Sequence, residues 1–176
     1  MKTKALLDKK ALERTINRIT HEIIEKNQGC GSLSLIGIRT RGVHLASRIR
    51  DKVLEVEKTS LPVGVLDITM YRDDIFKLKT PILKKTEIPF NVNDMTLVLV
   101  DDVIHTGRTI RAAIDAIMDL GRPNKIHLAV LVDRGQRELP IHPDYVGVFY
   151  AVGPGEEVLV RLREVDSKDE VVLVRS

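Results

Sequence analysis

The chain has 176 residues, 43% hydrophobic and 30% charged, with a formal net charge of +3, a mild excess that permits an anionic ligand without demanding one. Its single cysteine, Cys30, excludes an internal disulfide, and neither a signal-peptide pattern nor an apolar run long enough to span a bilayer is present, so a soluble, cytoplasmic protein is expected. This length suits one domain covering residues 1–176, able to bury roughly 70% of the surface that its unfolded form exposes.

Asp8 is placed to cap a helix whose apolar residues Leu12, Ile16, Ile19 and Ile23 recur at helical spacing, with Gly29 near its end. Leu33–Ile38 is short and nearly all apolar, as a strand covered on both faces would be, and Leu45, Ile49 and Val53 mark a second helix. Val63–Tyr71 reads as another strand. From Arg72 to Asn93 the pattern dissolves into charges with Pro81 and Pro89, the composition of a lid or binding loop rather than a plain connection. Thr96–Val100 and Ile126–Val132 are further core strands, separated by a helix carrying Ile110, Ala113, Ile114 and Ile117 and ended by Gly121 and Pro123. Strands alternating with helices predict an α/β fold, a mostly parallel sheet with right-handed crossovers and helices on both faces. In the last third, "YVGVFYAV", "EVLVRLREV" and "EVVLVR" read as small antiparallel strands joined by turns.

Asp101 and Asp102 end the strand "TLVLV", and Val103, Ile104, His105, Thr106, Gly107, Arg108 and Thr109 lead toward the next helix. In open parallel sheets ligands bind beyond the carboxyl ends of strands. Carboxylates can bind sugar hydroxyls or a hard cation, while the free amides of a helix start and two threonine hydroxyls suit a phosphate. A phosphorylated sugar needs both. An aspartate before a helix also serves as a simple cap, and Gly107 as a simple turn residue. Two rival phosphate loops are weaker: "GIRTRGVH" has P-loop glycine spacing, but Val43 and His44 replace its Lys and Ser/Thr. A phospho-receiver domain would place its acidic pair near its beginning and would need a Lys at a later strand end. Arg39, Thr40 and Arg41 beside Gly42, at a strand-to-helix turn, offer the charge-assisted donors that a diphosphate requires, or are solvated surface charges.

The string "LVDDVIHTGRT" resembles the phosphoribosyl-diphosphate (PRPP) motif of type I phosphoribosyltransferases. Together with "GIRTRG", "DITMYRDD", "LAVLVDRGQRELPI" and "RITHEIIEKN", in order across nearly the whole chain, it is similar to the PyrR family of pyrimidine-operon attenuators and uracil phosphoribosyltransferases. The resemblance implies the type I phosphoribosyltransferase fold with a flexible lid, and transfer of phosphoribose from PRPP to uracil, giving UMP and diphosphate with Mg²⁺. It also implies UMP-dependent binding to pyrimidine-operon leader mRNA and assembly into homodimers or larger symmetric oligomers. Asp101 and Asp102 would hold the ribose hydroxyls, residues 103–109 would surround the 5′-phosphate, and Arg39, Thr40 and Arg41 would form the diphosphate loop.

Arg72–Phe90 is the expected lid, with Arg72 reaching the departing diphosphate and Lys77, Lys79, Lys84 and Lys85 making it basic. Asp133, Arg134 and Arg137 would face the base or Mg²⁺-diphosphate; alternatively Asp133 pairs with Arg134 or caps a turn. No general base is identifiable, and His105, where the family usually has tyrosine, reads as a loop residue. Arg14, Asn17, Arg18 and His21, flanked by Lys10 and Lys26, form a stripe suited to RNA, or a solvated helix face. One departure weakens the RNA reading: where relatives typically continue "YVGKNVPTS", this chain has Val148, Phe149, Tyr150 and Ala151, losing a basic contact. Either RNA affinity is lower, or Arg161 and Arg163 compensate, or RNA control is absent and uracil salvage remains; alternatively, the aromatics join a subunit contact. The alternative function is a regulator that only senses UMP.

Overall fold

The computed structural model of the protein describes residues 2–77 and 83–175; Lys79 and Pro81 of the expected lid lie outside the described residues. Five parallel strands form the central sheet in the order β3 (Val63–Leu66), β2 (Leu33–Ile38), β4 (Thr96–Ile104), β5 (Lys125–Asp133) and β6 (Tyr145–Phe149). Helices α1 (Lys9–Lys26) and α2 (Arg41–Glu57) cover one face, and α3 (Arg108–Leu120) covers the other. Alternation along each strand makes this arrangement: Leu35, Val98 and Val100 pack with α1 and α2, whereas Ile36, Leu97 and Leu99 pack with Ile110, Ala113 and Ile117 of α3. As expected, Asp8 caps α1, its Oδ1 accepting the Ala11 N–H at 2.7 Å. Among the described residues no helix is long and apolar enough to cross a membrane.

A second, antiparallel sheet joins β1 (Lys2–Leu7), β8 (Glu170–Arg175) and β7 (Glu156–Arg161). The last third therefore differs from its sequence reading in two ways. β6 is not antiparallel but extends the main sheet, paired in parallel with β5. "REVD" is not strand but the short helix α4 (Arg163–Asp166), tied to α2 by Arg48, which bonds Glu164 and Asp169 at 2.6 Å each. β3 stops at Leu66, and Thr69–Tyr71 is a 3-10 turn. β4, in contrast, continues past Val100 through both acids, because β5 runs alongside it as far as Ile104 opposite Asp133.

The order β3-β2-β4 reverses direction between β2 and β4. Loops after neighbouring strands diverge at such a switch point, leaving a crevice at their carboxyl ends. The loops that leave β2 and β4 there are those containing Arg39–Gly42 and His105–Gly107.

Candidate active site

Gly42 brings the start of α2 against β4. A Cβ on it would meet the Val100 carbonyl oxygen at 2.4 Å and the Asp101 Cα at 3.2 Å, so only glycine lets the first turn of α2 lie against β4 where the acids begin. The backbone leading into it contains a cis Arg39–Thr40 peptide bond.

The two acids differ in setting. Asp101 is only 7% exposed, and its Oδ1 accepts the Asp102 N–H at 2.9 Å; Asp102 is partly exposed, and its own Oδ1 accepts the Val103 N–H at 2.9 Å. Burial pushes the Asp101 carboxyl well above the usual carboxylate range, and the neighbouring Asp102 charge pushes it further. Burial also raises Asp102, but hydrogen bonds from Asp101 and the Val103 N–H, with the positive field of Arg41, oppose it. Both carboxyls therefore sit above the usual carboxylate range, Asp101 further than Asp102.

Beyond Ile104 the chain turns through Gly107 at φ +91°, a left-handed conformation natural to glycine, and α3 begins at Arg108. The Thr106 hydroxyl takes the Arg108 N–H at 3.3 Å, while the N–H groups of Thr109 and Ile110 have no acceptor within the helix. Such free N–H groups and the positive end of the helix dipole together favour an anion at a helix start. The Thr106 carbonyl accepts the N–H groups of Glu138 and Leu139 at 3.0 and 3.1 Å, which fixes the loop against the segment after β5. A cleft of about 210 Å³ lies beside it, lined by Arg72, Asp73, Asp74, Thr106, Arg108 and Thr109.

Most of the cationic side chains expected at the site have protein partners. Arg39 donates Nε and Nη2 to the Lys85 carbonyl at 3.1 and 2.9 Å, and Arg41 grips Asp166 of α4 with two bonds of 3.1 and 2.7 Å. Arg72 pairs with Asp74, and Arg108 bridges Glu138 and Asp73 at 2.6 Å each. The two limbs of the expected lid are thereby fastened at their feet: Tyr71 to Asp119 and Arg111 on α3, and Lys84 and Thr86 to Asp67. Asp67, Glu138 and Asp166 were invisible to sequence reasoning, since nothing local to each marks the arginine or loop amide it meets.

Asp133 pairs with Arg137, at 2.6 Å, not with Arg134, and its Oδ1 accepts the Gly135 N–H. Burial alone would raise Asp133, but Arg137 and that N–H outweigh it and hold the carboxyl below its usual range. Arg137 also donates to the carbonyls of His105, Gly135 and Ile141, so it clamps the segment after β5 onto the exit of β4. Arg137→Ala is expected to cost about 3 kcal/mol, because it strands a largely buried carboxylate. The contribution of the pair is complete above the ordinary aspartate value of 3.8 and lost as pH falls through the lowered one. Urea unfolding of both proteins at pH 7 and at pH 3 would show the gap between them narrowing in acid.

Arg134 leans toward the Glu156 carbonyl at 3.5 Å, and its Nε is buried without a partner among the described residues. His105 meets Gln136 at 3.2 Å. On α1, Arg14 and His21 are exposed, whereas Arg18 is engaged by Glu22 and by the Val146 and Gly147 carbonyls, and Lys26 by Asp144 at 2.8 Å. Asn17 instead lines a separate cleft of about 270 Å³, with Glu13, Arg48 and Lys52 among its neighbours, and its Oδ1 is buried without a partner among the described residues.

Residues 2–158 match the phosphoribosyl transferase domain family. The chain is 55% identical over 172 residues to the bifunctional protein PyrR of Pelotomaculum thermopropionicum, covering 97% of this chain and 95% of that protein. It is 54% identical over 169 residues to the bifunctional protein PyrR of Clostridioides difficile, covering 96% of each. In fold it is similar to the hypoxanthine phosphoribosyltransferase of Trypanosoma cruzi, with a TM-score of 0.74 at 15% identity, over 98% of this chain and 96% of that one. A hypoxanthine-guanine phosphoribosyltransferase of Bacillus anthracis gives a TM-score of 0.73 at 16% identity, over 100% of both chains. A crevice at the sheet's switch point, an acidic pair and an amide-rich helix start thus coincide with similarity along nearly the full length, and the chain belongs to the phosphoribosyl transferase domain family, among the bifunctional PyrR proteins.

Proposed function

We propose that this protein transfers the phosphoribosyl group of PRPP to uracil, giving UMP and diphosphate, and that with UMP bound it engages the leader mRNA of a pyrimidine operon to promote transcription attenuation. One observation carries the reading: Gly42 seats the turn from β2 into α2 against β4 where the acidic pair begins, so groups suited to a diphosphate and groups suited to a ribose phosphate border one crevice.

In this reading the N–H groups of Thr109 and Ile110 and the hydroxyls of Thr106 and Thr109 receive the 5′-phosphate, Asp102 and Asp101 hold the ribose hydroxyls, and Arg39, Thr40 and Arg41 face the diphosphate. The bond from the anomeric carbon to diphosphate breaks with its electron pair on oxygen, cationic character grows on the ring, and the uracil nitrogen forms the new bond and releases its proton. As a carboxylate, Asp102 would stabilise that positive charge without needing to accept a proton. Arg39 and Arg41 must exchange the Lys85 carbonyl and Asp166 for phosphate oxygens, an exchange of like chemistry. Mg²⁺ fits as a companion of PRPP: it prefers phosphate oxygens with one or two carboxylates, and when bound it would neutralise the departing diphosphate. Asp102 suits that cation better than Asp133, which Arg137 already neutralises.

Regulation rests on the outer face of α1, where Arg14 and His21 are unpartnered among the described residues, with Arg18 and Lys26 beside them. A cytoplasmic location and assembly as a homodimer or larger homo-oligomer belong to the same proposal. The test is turnover of uracil with PRPP and Mg²⁺. UMP formation supports the reading, whereas no turnover, with UMP-tightened and salt-sensitive leader binding, would leave only a sensor. Replacing Arg14 and His21 by alanine should weaken leader binding at least tenfold and reduce its salt slope while turnover stays within twofold; unchanged RNA affinity would remove α1 from the interface.

A further inference from the structure

Phe149 is the last residue of β6 and is 66% exposed, although Tyr145 at the start of the same strand is 2% exposed. Strand register places Ile104 opposite Asp133 and Asp133 opposite Phe149, so these residues form a row across the carboxyl ends of β4, β5 and β6. The Phe149 backbone is therefore two strand spacings, roughly 10 Å, from the end of the strand that carries the acids. Its ring stands over Gly135: a Cβ at that glycine would lie 3.7 Å from ring carbons Cε2 and Cζ. The backbone under the ring is fixed, since the Tyr150 N–H donates to the Asp133 carbonyl at 2.8 Å and Gln136 Nε2 donates to the Val152 carbonyl at 3.1 Å.

Two charged groups near it, Asp133 and Arg137, are already committed. Asp133 is held by Arg137 and the Gly135 N–H, and Arg137 by the His105, Gly135 and Ile141 carbonyls as well. What this end of the sheet offers a ligand at Phe149 is a flat, apolar, solvent-facing ring on a rigid mount, beside the crevice where a sugar phosphate would sit. Such a ring recognises another flat ring by stacking.

We propose that Phe149 is the stacking wall for the pyrimidine ring of uracil and UMP, a substrate contact that sets how tightly the base is held. The assignment rests on the transferase reading above. Stacking accepts any flat heterocycle, so Phe149 contributes affinity, and the choice among bases falls to hydrogen-bonding groups elsewhere.

The chain contains no tryptophan, so Phe149→Trp installs a single indole at this position. Titration of that variant with UMP is expected to quench its emission saturably. Phe149→Ala is expected to raise KM for uracil roughly tenfold or more, within the range seen when a base loses its aromatic partner, with KM for PRPP changed less than twofold; Phe149→Tyr should retain wild-type KM values. Thermal unfolding and sedimentation of each variant accompany the kinetics. Wild-type turnover with an unchanged uracil KM in Phe149→Ala, an indole blind to saturating UMP, or a Phe149→Ala whose sole change is a split oligomer would each overturn the stacking assignment and leave the transferase reading standing. Absence of turnover in the wild-type protein would instead overturn the transferase reading.

Discussion

Replacing Gly42 with alanine is expected to destabilise the protein by about 1–3 kcal/mol and to lower turnover with PRPP at least about a hundredfold. The sign makes this informative. Gly42 lies in the first turn of α2, and alanine in a helix is ordinarily favoured over glycine by roughly 0.5–1 kcal/mol. Here the added methyl would sit 2.4 Å from the Val100 carbonyl oxygen, on a strand hydrogen-bonded to β2 on one side and β5 on the other, so β4 has little freedom to retreat. The start of α2 must move instead, which separates Arg39, Thr40 and Arg41 from the acidic strand. Thermal unfolding gives the first effect, and initial rates at varied PRPP give the second. A variant more stable than the parent, with unchanged kinetics, would show that α2 and β4 need no close approach.

The acidic pair should separate charge from fold. Asp102→Asn is expected to reduce turnover about a hundredfold or more while leaving the unfolding transition near that of the parent. Asp101→Asn is expected to stabilise the protein at pH 7, on the order of 1 kcal/mol, because burial penalises its ionised form and an amide carries no charge. Asp101 titrates above its unfolded value, so the neutral form it prefers is fully present below the ordinary 3.8, and the stability is lost as pH rises toward the raised value. The advantage of the Asp101→Asn variant over the parent should therefore vanish near pH 3 and widen toward neutrality. Denaturant midpoints across that range would check it, and an advantage that shrinks with rising pH would contradict the upward shift of Asp101.

Much of this site could be read from the chain alone because its parts are local. The aliphatic runs of β2, β4 and β5 are largely buried and nearly free of polar residues, Ser34 and His127 being the interruptions, and the apolar stripes of α1, α2 and α3 follow the helical period. Glycines and threonines after β4 announce a turn into a helix start. What could not be read depends on partners distant in sequence. β1 carries Lys2 and Lys4 and owes its existence to β8, some 170 residues later. The alternation in "YVGVF" fits a half-exposed strand of either direction, and only pairing with β5 makes β6 parallel. "REVD" has strand-forming neighbours, yet its helix turn presents Asp166 to Arg41, 125 positions away. The arginines of the site were legible as cations, but the acids and carbonyls that hold them were not.

The pairing of β1 with β8 sets Lys2 opposite Arg175, so the first and last described residues run side by side in one sheet. A short flexible bridge between them would close the polypeptide into a ring without disturbing either sheet. A circular permutant reopened at the surface turn near Pro123 would then keep every strand partner, and its refolding would report how far this architecture depends on the order in which its pieces are made.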